Sequence, residues 1–168
     1  MSKWPGKYII GLTGNIATGK SVVRKMLEHL GAYSIDADAL SHRAIAKGAP
    51  GYQRVIDTFG KWIVDNDGEV DRVKLGRLVF NDPEALQQLE GIVHPLVEQA
   101  VDLMIKRASQ RIVVVEAIKL LEGNLAGACD NIWVTSAPES IQKDRLMKKR
   151  AMSEQDALQR IHAQPPQE

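Results

Sequence analysis

Apolar residues recur along this chain in two rhythms, and the elements follow from them. Tyr8-Ile9-Ile10-Gly11-Leu12 is a nearly continuous apolar run, which predicts a buried strand. Val22, Val23, Met26, Leu27 and Leu30 then recur at helical spacing, and Gly31 stands where a helix C-cap belongs. Ala32-Tyr33-Ser34-Ile35-Asp36 reads as a second short strand. Ile112-Val113-Val114-Val115 is a continuous β-branched run ending in Glu116, as suits a central parallel strand, and Asn131-Ile132-Trp133-Val134-Thr135 is a fourth strand. Ala137-Pro138-Glu139 opens a further helix, and Ser153 with Asp156 has the pattern of another helix start.

Between the second and third strands the rhythm is helical. A helix is expected from Ala39 to Ile45, a break at residues 47 to 51, and a short helix from Tyr52 to Phe59 ended by Gly60. Val73, Leu75, Leu78 and Val79 form the next apolar set. Asp82 caps a helix with Pro83 in its first turn, carried on by Leu86, Leu89, Ile92 and Val93. His94-Pro95 interrupts that pattern, and Leu96, Val97, Val101, Met104 and Ile105 resume it. Asp65-Asn66-Asp67-Gly68 reads as a plain turn: its glycine comes too early for an EF-hand, and no N-K-x-D guanine reader accompanies its D-x-x-G. A span this long exceeds a simple strand-to-strand crossover. It predicts a helical insertion in which a second substrate is gripped.

The first strand runs into Gly14-Asn15-Ile16-Ala17-Thr18-Gly19-Lys20-Ser21, which satisfies G-x-x-x-x-G-K-[S/T]. Glycines let consecutive N–H groups turn toward one concave surface. Lys20 adds a cation for the β- and γ-phosphates, and the Ser21 hydroxyl suits Mg²⁺. Strand, glycine-rich loop and helix in that order aim a helix N-terminus at the phosphates.

Composition removes several function classes. The chain has 168 residues, enough for one domain with a sizeable core, and a net charge of +1, which argues against nucleic acid or an anionic membrane as partner. No membrane span or signal peptide is expected. Cys129 is the single cysteine, so no internal disulfide forms; it reads as a small core residue, and a reducing cytoplasm fits.

The remaining candidate chemistry is acidic and basic. Asp36 and Asp38 follow the second strand, where open α/β sheets place their ligands. They suit proton acceptance or a water-bridged Mg²⁺, or else Asp38 caps the next helix. Glu116 ends the third strand as a further acid for Mg²⁺ or as a surface residue. His94 is a structural position or a ligand contact. Lys143, Arg145, Lys148, Lys149 and Arg150 make a solvated face or a set of lid cations, with Arg145 and Lys149 on one side of the helix.

With these residues in view, the chain resembles the dephospho-coenzyme A kinases. The likeness lies in Ile10-Gly11-Leu12-Thr13-Gly14 through Gly19-Lys20-Ser21, Ile35-Asp36-Ala37-Asp38, Gly48-Ala49-Pro50-Gly51, Phe59-Gly60 and Asp67-Gly68. It continues in Leu78-Val79-Phe80 with Asp82-Pro83, His94-Pro95-Leu96, Leu120-Leu121-Glu122 and Arg145-Leu146-Met147. The resemblance implies an α/β fold of the P-loop NTPase type: a parallel sheet with helices on both faces, a helical substrate-binding insertion and a helical lid. It divides a single kinase domain into a core (1–38 and 112–136), an insertion (39–111) and a lid region (137–168), without the family's C-terminal strand and helix. It also implies transfer of the ATP γ-phosphoryl group, with Mg²⁺, to the ribose 3′-hydroxyl of dephospho-coenzyme A, a small-molecule substrate. Asp38 then falls at the general base, Lys20, Arg145 and Lys149 among the catalytic cations, residues 14 to 21 on ATP, and Thr13, Asp36, Asp38 and His94 on the substrate. A kinase for another small nucleoside or nucleotide, and a nucleotide-binding module without catalysis, are the rival readings. Oligomeric state is not encoded in any of these features.

Overall fold

The computed structural model describes residues 3–164. By its contacts the chain divides into a sheet unit (residues 1–36 and 105–168) and a helical unit (37–104).

The sheet unit is built on four parallel strands: β1 (Tyr8–Thr13), β2 (Tyr33–Asp36), β3 (Ile112–Glu116) and β4 (Asn131–Val134), in the order β2-β3-β1-β4. Leu12 stands opposite Glu116, and Asp36 stands opposite Glu116 on the other side. Consecutive residues Val113 to Glu116 are all buried, although successive side chains point to opposite faces, so both faces of β3 are covered. Helix α1 (Lys20–His29) covers one face, with Val23 and Leu27 packed on Ile10, Leu12 and Val114. Gly31 (φ +94°) ends α1 as expected, its N–H donating to the Glu28 carbonyl.

The apolar stripe of α1 is only half used. Val22, Met26 and Leu30 are exposed, because Val23 and Leu27 are the residues that face the sheet. Helical spacing marks a stripe; the surface beneath decides which edge of it is covered. At the other end of the unit, α6 (Glu139–Arg150) packs on α7 (Glu154–His162). Ser153 caps α7 as expected, its Oγ accepting from Asp156 N at 3.1 Å.

The helical unit contains α2 (Ala37–Ala44), α3 (Tyr52–Phe59), a 3₁₀ turn (Lys61–Ile63), α4 (Arg72–Asn81) and most of α5 (Pro83–Arg107). Ile45, Val55, Ile63, Leu75, Val79, Val97 and Val101 belong to its core. Asp65–Gly68 is a turn, closed by Asp65 Oδ1 accepting from Asp67 N and Glu69 N. Asp82 caps α5 through its Oδ1, which accepts from Glu84 N and Ala85 N.

Two expectations are corrected here. α2 begins at Ala37, so Asp38 lies inside the first turn and is not the cap. α5 runs unbroken through His94-Pro95. Proline removes one helical donor and crowds the carbonyl four residues back; that residue is Gly91, and Ile92, Val93, Val97 and Val101 hold the helix by burial on either side.

Candidate active site

The loop from Gly14 to Gly19 joins β1 to α1, and its glycines are structural necessities. Gly14 has φ +143°, and a Cβ there would run into the backbone and side chain of Thr135. Gly19 has φ +115° and immediately precedes the first residue of α1. The Thr135 N–H donates to the Thr13 carbonyl at 2.9 Å, and the Thr18 and Thr135 hydroxyls lie 2.7 Å apart. Thr18 Oγ1 also donates to the Asn15 carbonyl at 2.8 Å. Thr135 thus clamps the loop from the end of β4. The sequence signal for it was slight, a hydroxyl just past a strand's carboxyl end.

Lys20 is folded into this loop. It is buried, and its Nζ donates to the Gly14 carbonyl at 2.5 Å and the Asn15 carbonyl at 3.1 Å. A desolvated ammonium gains most from a charged acceptor such as a phosphate oxygen. Ser21, the second residue of α1, is exposed. Asn15, Ile16 and Ala17 form the half-buried apex, with Ala17 in the left-handed region at φ +58°.

That apex is moulded by α6 and α7. Ile16 and Ala17 pack against Leu146, Ala157 and Ile161. Arg145 Nη1 donates to the Ala17 carbonyl at 2.8 Å, and the Gln164 side-chain oxygen accepts from Ile16 N at 2.5 Å. The structure therefore brings Arg145 to the loop. It does not bring Lys149, which is exposed four residues on, because Leu146 and not the 145/149 side is the buried anchor of α6.

The other candidates divide between the units. Thr13 is buried at the end of β1, its hydroxyl donating to the Ile118 carbonyl at 3.0 Å. Asp36 is half-buried at the end of β2. Asp38 is half-buried two residues further on, in the first turn of α2, and His94 is exposed on α5. Glu116 is no surface residue: it is 6% exposed at the end of β3. Burial pushes its pKa up and the neighbouring Asp36 adds to the rise, while Arg24 and Lys20 oppose it. Arg24 Nε approaches Glu116 Oε2 to 2.7 Å, both atoms buried without hydrogen-bond alignment. Arg24 was not singled out by its sequence, although it stands four residues after Lys20.

Cys129 is half-buried and not part of the core expected for it. Its Sγ donates to the Leu125 carbonyl, and burial, assisted by the Asp130 charge, pushes its thiol up to about 11. Among the described residues no cluster of three His, Cys, Asp or Glu side chains is placed to hold a metal ion, and no helix is long and apolar enough to cross a membrane. The donors that do exist near the loop, the Ser21 hydroxyl and the Glu116 carboxylate, are hard oxygens. They fit Mg²⁺, which takes one or two protein ligands and completes its shell with phosphates and water.

Comparisons with known proteins agree with this geometry. The family model described as dephospho-CoA kinase matches residues 8–168. A dephospho-CoA kinase of Carboxydothermus hydrogenoformans is 44% identical over 163 residues, covering 95% of this chain and 79% of the relative. That of Aquifex aeolicus is 42% identical over 158 residues, covering 94% and 80%. Among solved structures, a Thermus thermophilus protein superposes with a TM-score of 0.83 at 34% identity, covering 95% of this chain and 81% of that one. A dephospho-CoA kinase from Campylobacter jejuni gives 0.58 at 25% identity, covering 94% and 80%.

Proposed function

The chain belongs to the dephospho-CoA kinase family and is a kinase acting on dephospho-CoA in coenzyme A synthesis, and we propose that its own residues carry the transfer as follows. ATP is the phosphoryl donor. The amides of residues 14 to 21 surround its phosphates at the start of α1, and Lys20 exchanges the Gly14 and Asn15 carbonyls for phosphate oxygens. Arg145, already at the loop, turns from the Ala17 carbonyl to the transferring group, with Lys149 of the same helix as a second lid cation. Ser21 and Glu116 would hold Mg²⁺, which would supply positive charge to neutralise the phosphates.

Asp38 orients the ribose 3′-hydroxyl and accepts its proton as the oxygen attacks the γ-phosphorus. The new bond joins the 3′-oxygen to phosphorus, the bond to the β–γ bridging oxygen breaks, and ADP departs with that electron pair. Thr13, Asp36 and His94 are proposed substrate contacts. A core, a helical insertion and a lid, divided near residues 38, 111 and 136, are the working parts of this reading. A cytoplasmic location and a small-molecule partner, without nucleic acid, go with it.

The observation that carries the proposal is the buried Lys20 held by two neutral carbonyls at a helix N-terminus. A coupled assay with ATP and Mg²⁺ tests it: ADP should form with dephospho-CoA and not with free nucleosides or nucleoside monophosphates. ADP released with a nucleoside acceptor alone would reassign the substrate, and nucleotide binding with no turnover would reduce the chain to a binding module.

A further inference from the structure

Arg24 and Lys20 stand four residues apart on one side of α1. Arg24 is held between strands and helix. Its Nε is 2.7 Å from Glu116 Oε2, and its Nη1 donates to Glu28 Oε1 at 2.8 Å and to Ser34 Oγ at 3.2 Å. Glu116 stands opposite Leu12, two residues before Gly14, whose carbonyl receives the Lys20 ammonium. One buried carboxylate is therefore in contact with one cation of the helix, Arg24, and lies in the field of a second, Lys20, one turn earlier on the same side. The field of Lys20, like that of Arg24, opposes the rise of its pKa. A buried carboxylate deprived of its counter-ion is expensive and draws in the next available cation.

We propose that Arg24 is a positioning residue for nucleotide binding: by occupying Glu116 it keeps the Lys20 ammonium available to the phosphates. The inference rests on the reading of the loop as the ATP site. Arg24 touches no reacting atom in it; its effect passes through Glu116 to Lys20. A structural tether between α1 and β3 would use the same contacts, so the test separates the two.

The measurement is ADP affinity by calorimetry in EDTA, which keeps any metal role of Glu116 out of the readout. Arg24→Ala should raise the ADP Kd at least tenfold, and Arg24→Lys should stay within about threefold of the parent. The double variant Arg24→Ala/Glu116→Gln should return to near the parent value, because the charge that captures Lys20 is gone. A tether predicts the opposite: the double variant binds as weakly as Arg24→Ala, and that result overturns the proposal. If Arg24→Ala does not melt cooperatively, Glu116→Gln alone decides. It should bind ADP as tightly as the parent or more tightly, and a tenfold loss would overturn the proposal. Failure of the parent protein to bind ADP would remove the ATP-site reading itself, whereas an Arg24→Ala protein that binds like the parent removes only the role given to Arg24.

Discussion

The two units bury different kinds of side chain. Thr13, Thr18, Lys20, Glu116 and Gln142, the buried polar residues among those described, all lie in the sheet unit, while the buried residues described in the helical unit are apolar. Burying a lysine or a glutamate is costly unless partners compensate. The sheet unit meets that cost with a carbonyl cradle for Lys20 and an arginine for Glu116. The helical unit has no such cost and stands on side-chain packing and on caps such as Asp71 and Asp82. Polar groups held away from water are where electrostatic chemistry gains strength, so this contrast locates the phosphate machinery before any ligand is considered.

Substitutions can break or sharpen that contrast. The largest expected effect comes from the helical unit. Asp38→Asn should lower kcat by roughly 10²–10⁴ as a lost general base, with the KM for ATP little changed. Steady-state kinetics with both substrates varied would check it, and normal turnover would take Asp38 out of the chemistry. Lys20→Ala in the sheet unit should cost about 10²–10³ in rate and weaken ATP binding as well. An unchanged ATP titration would contradict the phosphate-loop assignment.

Core truncations come next. Leu12 and Ile63 are both fully buried, one in each unit. Leu12→Ala and Ile63→Ala should each lose about 2–5 kcal/mol in denaturant unfolding. Below the melting range only Leu12→Ala, two residues ahead of the loop, should also weaken ADP binding. Equal ADP losses in the two variants would erase the distinction between the units.

The smallest effect is a matter of pH. The folded Cys129 thiol is raised from 9.0 to about 11, so its contribution to stability is complete below pH 9 and is lost as pH climbs through 11. At pH 8 the native protein should hold roughly 100-fold less thiolate than the unfolded chain, and iodoacetamide should label it correspondingly slowly. Equal labelling rates before and after denaturation would show that the thiol is not protected.

Much of this was legible from one dimension. The β-branched run at residues 112–115, the helical spacing of Leu75 and Val79, and the caps at Asp82 and Ser153 act over a few residues, and each appears where its pattern placed it. His94-Pro95 misled because local propensity was overridden by the burial of α5 on both sides of the proline. Lys149 shared a helix side with Arg145 in the pattern, yet Lys149 is exposed while Arg145 donates to the Ala17 carbonyl of the loop. Arg24 and Gln164 carried no signal and Thr135 only a slight one, since each meets a partner at least 92 residues away in the chain.

Unaided, then, the order of residues determined the phosphate loop, the alternation of strands with helices and the family, because short-range sterics and periodicity are written in neighbouring positions. Tertiary structure alone decided that Glu116 is buried beside Arg24, that Lys20 is withdrawn into neutral carbonyls, and that α6 meets the loop through Arg145. Those outcomes depend on which distant side chains are excluded from water together, and strand order β2-β3-β1-β4 settles that question.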